Sequence, residues 1–163
     1  MKIELKRFSY NARLSEETNA FAADIWVDGK NVGFAKNDGH GGNTMVHIKP
    51  NELFQQVKEQ GAKLVPDEYK RFTCGAEWLV DQLVEAELNK RHEAKEAKRI
   101  QRADVKEAAR FEKQGMLCYR FRVGDTFRWV GLKPGQEPEV VRKHFETKYG
   151  SEQQPLVDWK VVS

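Results

Sequence analysis

AFAADIWVDGKNVGFAK, residues 20–36, decides the fold class. Two β-prone runs flank Asp28-Gly29, a pair suited to a type I′ turn because both central residues there need positive φ. A two-residue turn pairs Val27 with Lys30, Ile25 with Val32 and Ala23 with Phe34. The last two pairs form one apolar face, expected to be core, and Trp26 falls on the opposite face beside Asn31. A hairpin with one buried face belongs to an antiparallel sheet.

Working outward, KIELKRFSY reads as a preceding strand through Ile3, Leu5 and Tyr10, and MVHI as a following one. Between the hairpin and MVHI lies KNDGHGGNTMVH, residues 36–47. Next comes a helical stretch, NELFQQVKEQ, with Pro50 at its start, Leu53, Phe54 and Val57 on one side, and Gly61 as its stop. A long helix is expected over about 75–114, ending at Gly115. Its first half carries Trp78, Leu79, Leu83 and Ala86. Its second half, Lys90 to Lys113, is nearly all charge and alanine, which suits a surface or a partner and not a central core. MLCYRFRVGDTFRWVGL is a second hairpin turning at Gly124-Asp125. A helix follows, with Pro138 near its start, Gly150 past its end, and Val140, Val141 and Phe145 inward. LVDWKVV closes as a strand.

Strands and helices without βαβ alternation mean α+β, with a mainly antiparallel sheet, packed helices and one long charged helix. The 163 residues are expected to form a single domain: a β-rich part over 1–50, the long helix over 73–114, and a ββαβ part over 116–163. Charged residues make up 33% and hydrophobic ones 39%, a soluble globular composition. A net charge of +3 is too small to diagnose a nucleic-acid binder without regard to where the charges lie. Cys74 and Cys118 form no motif and read as free thiols in a reducing compartment. The opening MKIELKRFSY has no continuous apolar region, so it is not read as a signal peptide, and no apolar run reaches membrane-span length. The expected location is cytoplasmic, without membrane association.

Four places could carry chemistry. In the glycine loop, Gly39, Gly41 and Gly42 permit a backbone anion nest, with Asn37, His40, Asn43 and Thr44 as further ligand contacts. It lacks the GK[ST] ending of a phosphate loop and joins strands. An elaborate turn through Asn37-Asp38-Gly39 is the alternative. An enzyme would use His40 as acid/base with Asp38 as its orienter. Arg120, Arg122, Phe127 and Trp129 share one side of the second hairpin and could stack bases and hold phosphates, or simply cover the sheet. The basic helix half could assist nucleic-acid or partner binding. No metal site is expected, since His40, His47, His92 and His144 lack ligand spacing. No cofactor is implied.

The segment SEETNAFAADIWVDGKNVGFAKNDGHGGNT resembles the opening of small uncharacterised proteins of bacteria and their phages or plasmids. The resemblance covers about the first third of the chain. It implies an accessory role in a mobile element, including interference with a host system, and carries no activity with it. The expectation is therefore a non-enzymatic protein that engages a nucleic acid, a nucleotide or a host or phage protein. The competing readings are a phosphodiester- or nucleotide-processing enzyme using His40 and Asp38, and an assembly protein presenting its charged helix.

Overall fold

The computed structural model describes residues 1–150 and 156–162. Within these, the protein is α+β, with seven strands in two antiparallel sheets and three helices. The chain divides into two compact units, Met1–Arg91 and His92–Ser163. The long helix contributes its first half to one unit and its second half to the other.

In the first unit, β1 (Ile3–Tyr10), β2 (Phe21–Val27), β3 (Lys30–Asn37) and β4 (Met45–Ile48) form a meander in sequence order. Asp28 and Gly29 have φ of 46° and 82°, as a type I′ turn requires. The hairpin register differs from the expected one beyond Trp26–Asn31. Ile25 lies opposite Gly33, and Ala23 opposite Ala35, because a bulge places Val32 as an extra residue on β3. Two interactions fix it. The Asn31 side chain accepts the Gly33 N–H at 3.1 Å. Gly33 also lies so close to β4 that a Cβ there would come within 1.8 Å of the His47 carbonyl oxygen. The one-residue slip turns Phe34 outward, where it stacks on His47 at 5.3 Å, and puts Ala35 in the core.

The inner face of this sheet packs on α1 (Asn51–Ala62) and on the start of α2 (Gly75–Glu112). Ile25, Ala35, Val57, Val80 and Val84 are almost fully buried there. Gly61 does not stop α1. It sits inside the helix, facing Gly75, and a Cβ on either residue would strike the other segment's backbone at 1.8–2.1 Å. Two glycines thus let two helices cross at backbone contact.

In the second unit, β5 (Leu117–Val123) is flanked by β6 (Thr126–Leu132) and β7 (Leu156–Val162). Four consecutive β5 residues, Cys118 to Phe121, are buried, so both faces of the sheet are covered. On one face, Phe121 meets Trp159 and the Phe145 ring of α3 (Pro138–Tyr149), at 5.8 and 5.3 Å. Arg128, which interrupts that apolar face in sequence, lays its guanidinium over Tyr149 at 4.7 Å. Val140, expected inward on α3, is exposed. The other face meets the second half of α2, whose Phe111 ring occupies the space a side chain at Gly131 would take. Helix α2 ends as its sequence suggests. Gly115 takes φ of 67°, and the Met116 N–H bonds back to the Phe111 carbonyl at 3.0 Å.

Candidate functional site

The glycine loop is organised by Asn37, at the end of β3. Its Oδ1 accepts the Gly39 N–H and the Thr18 hydroxyl, both at 2.9 Å. Its Nδ2 donates to the Gly42 carbonyl at 2.9 Å and to Thr44 Oγ1 at 3.2 Å. One amide uses both its donors and both its acceptor directions. The Gly39 carbonyl in turn accepts the consecutive N–H groups of Glu16, Glu17 and Thr18 at 3.0–3.2 Å. This row of N–H groups is the kind of concavity that receives anions. Here the chain's own carbonyl fills it.

Asp38 and His40 are both exposed. Asp38 Oδ1 accepts the backbone N–H of His40 at 3.4 Å. The His40 ring instead approaches Glu16 at 3.3 Å. An Asp38 that orients the imidazole of His40 is not the arrangement found.

Thr44 leads elsewhere. It is buried, and its hydroxyl donates to Asp81 Oδ1 on α2 at 2.6 Å. This links the glycine loop to the wall of a cleft of about 360 Å³. Thr18, Asn37, Gly41, Gly42, Asn43 and Thr44 line one side, and Tyr69, Phe72, Thr73, Glu77, Trp78 and Asp81 the other. Phe21 and Val84 supply apolar contact. The Tyr69 ring stacks on Trp78 at 5.7 Å, and Phe72 stands 74% exposed at the edge. Glu77, at the third position of α2, accepts the Cys74 N–H at 3.3 Å, which is the helix-capping role of that position. The lining contains two carboxylates and no Lys, Arg or His. Asp81 keeps solvent access, yet packing about its carboxyl raises its pKa, the Thr44 hydrogen bond opposing and the Glu77 charge adding to the rise.

His40 lies outside this cleft and lines a separate open depression with Asp38, Tyr10 and Asn11. Tyr69, Trp78, Glu77 and Asp81 are the residues sequence reasoning missed. Their one sequence trace is the spacing of Glu77 and Asp81, which puts two carboxylates on one face of a helix.

The hairpin residues are placed differently. Arg120 pairs across the ladder with Trp129, and Arg122 with Phe127, in the expected register. That face closes on α2, however. Arg120 Nη1 and Trp129 Nε1 both donate to Asp104, at 2.5 and 2.7 Å, with Arg120 buried. The Arg120 guanidinium also lies over Phe127 at 5.0 Å. Arg122 approaches Asp158 of β7 at 3.5 Å. Three of the four side chains thus serve the interior of the second unit.

Among the described residues no group of three or more metal-ligating side chains gathers, and no helix is long and apolar enough to cross a membrane. No protein-family model, no curated protein and no solved structure matches the chain.

Proposed function

We propose that this is a non-enzymatic accessory binding protein that engages a partner protein, of host or mobile-element origin, through the cleft between the glycine loop and the start of α2. The occupant is a Lys or Arg side chain of the partner. The observation that carries this reading is the lining: Asp81 and Glu77 beside the stacked Tyr69 and Trp78 rings, with no base among them. Carboxylates attract a cation, and aromatic faces add cation–π attraction. Exposed Phe72 at the edge supplies the apolar area on which a protein partner, but not a free ion, gains affinity. A phosphate finds no counter-charge in this lining, and the nearest nest of N–H groups is already occupied by Gly39.

Titration of the protein with N-acetyl-arginine and N-acetyl-lysine methylamides, followed by amide NMR shifts, tests the reading. Shifts are expected at Thr44, Glu77 and Asp81, absent with the norleucine analogue and lost in Asp81→Asn. Equal response to norleucine, or tighter binding of a nucleoside phosphate at these residues, would refute it.

A further inference from the structure

Positive charge is unevenly distributed along the chain. Residues 1–91 hold thirteen Lys and Arg against fourteen Asp and Glu, while residues 92–163 hold fifteen against eleven. Within the second unit, the bases of α2 lie on one side. Ile100, Ala103, Asp104, Ala108 and Phe111 are shielded, and these positions recur at three- and four-residue steps. Lys95, Lys98, Arg102 and Lys106 step along the opposite side, exposed, with Lys113 just past the helix end. None of these five has an ion-pair partner among the described residues. Three of the five acids that interrupt the sequence are engaged by other groups, while Glu93 and Glu112 stay exposed. Glu96 and Glu107 are partly shielded and hold Arg99 and Arg110, and Asp104 is spent on Arg120 and Trp129. Lys95, Lys98, Arg99 and Arg102 line one shallow depression together with His92 and Glu96.

We propose that this face of α2 binds the phosphate backbone of double-stranded nucleic acid, as a site separate from the cleft and not dependent on it. At about 1.5 Å per residue, Lys95 to Lys113 covers about 27 Å. A duplex presents a charge about every 1.7 Å of axis, dense enough to face each of these cations along the helix. Apart from the His92 imidazole at one end, the face has no aromatic ring for stacking unpaired bases. Its one exposed large apolar residue nearby, Val105, is too little to insert into a bilayer. The contacts are charge to phosphate, so binding follows duplex shape and not base sequence.

The test uses the full chain and a labelled 20-base-pair DNA duplex in fluorescence anisotropy, titrated from 50 to 200 mM salt. Engagement of four or five cations predicts a log–log salt slope of about −3.5 to −4.5, a loss of about 130- to 500-fold across that range. Lys98→Glu/Arg102→Glu/Lys106→Glu abolishes binding. The gentler Lys98→Gln/Arg102→Gln/Lys106→Gln variant, with circular dichroism confirming its helix content, lowers the slope magnitude by about 2.7. Asp81→Asn leaves duplex binding intact, which separates this proposal from the cleft reading. No binding at 50 mM salt, an unchanged slope in the glutamine variant, or tighter binding to single strands or to phosphatidylserine vesicles would each overturn it.

Discussion

Replacing Asp104 by Asn should destabilise the second unit far more than its single-atom change suggests. Arg120 and Asp104 side chains retain only 10% and 15% of their exposure, so the guanidinium depends on this carboxylate for its counter-charge. Among the described residues its Nε has no hydrogen-bond partner. Asparagine keeps an acceptor for the Trp129 indole but leaves the Arg120 charge uncompensated. Breaking one side of a buried pair costs about 3–5 kcal/mol. For a unit of this size each kcal/mol moves the midpoint by about 4–8 °C, so a fall of more than about 12 °C is expected. Urea unfolding, followed by tryptophan fluorescence and circular dichroism, measures the loss, with an unchanged denaturant slope confirming a stability effect. The double variant Asp104→Leu/Arg120→Met should recover part of it, because no charge is left stranded, although the Trp129 indole N–H loses its acceptor. A loss below about 0.5 kcal/mol in Asp104→Asn, the level of an ordinary surface substitution, would refute the claim that Arg120 is held by burial and a single counter-charge.

Other substitutions test other parts of the molecule. Asn37→Asp keeps the shape of the loop hub but turns two donors into acceptors facing Gly42 and Thr44, and should cost about 2–3 kcal/mol in urea unfolding. Gly61→Ala, harmless in an open helix, should cost more than about 3 kcal/mol, because its methyl meets the Gly75 carbonyl; a stabilised variant would contradict the backbone crossing. Asp81 binds its proton more tightly folded than unfolded, so its ionisation subtracts stability as pH rises above the ordinary aspartate value of 3.8. Asp81→Asn should therefore raise the melting temperature at pH 7, flatten that pH dependence, and abolish binding of the arginine probe. Burial, with Glu107 and Asp104 adding, pushes the Cys118 thiol up to about 11, so at pH 8 a thiol reagent should modify partly exposed Cys74 and spare Cys118 in the native protein. Equal labelling of both would contradict the packing around β5.

Local chemistry was legible in the sequence wherever one segment determined its own shape. Asp28-Gly29 specified its turn, Gly115 its helix end, and Arg120 and Arg122 their partners across the second hairpin. What escaped was decided by residues distant in sequence. The bulge at Val32 depends on how closely β3 approaches His47, which alternation cannot reveal. Gly61 resembles a helix stop until Gly75 is placed against it. The Arg/aromatic face looks open until Asp104, sixteen residues earlier, is seen to close it. The cleft was half visible. Its glycine-loop side carries unusual residues, whereas Tyr69, Trp78 and Asp81 look like ordinary helix and loop positions until Thr44 reaches them.

The three N–H groups that converge on the Gly39 carbonyl have a consequence for how this region breathes. Glu16, Glu17 and Thr18 share one acceptor, and Thr18 also holds the Asn37 amide and the Gly41 N–H. None of these bonds can be released alone without leaving the others misaligned. The 16–18 segment and the glycine loop should therefore open as one unit. In hydrogen–deuterium exchange, the amides of residues 16, 17, 18, 39 and 41 would report a common opening free energy, and a ligand seated against Thr44 would slow the whole set together, including positions it never touches.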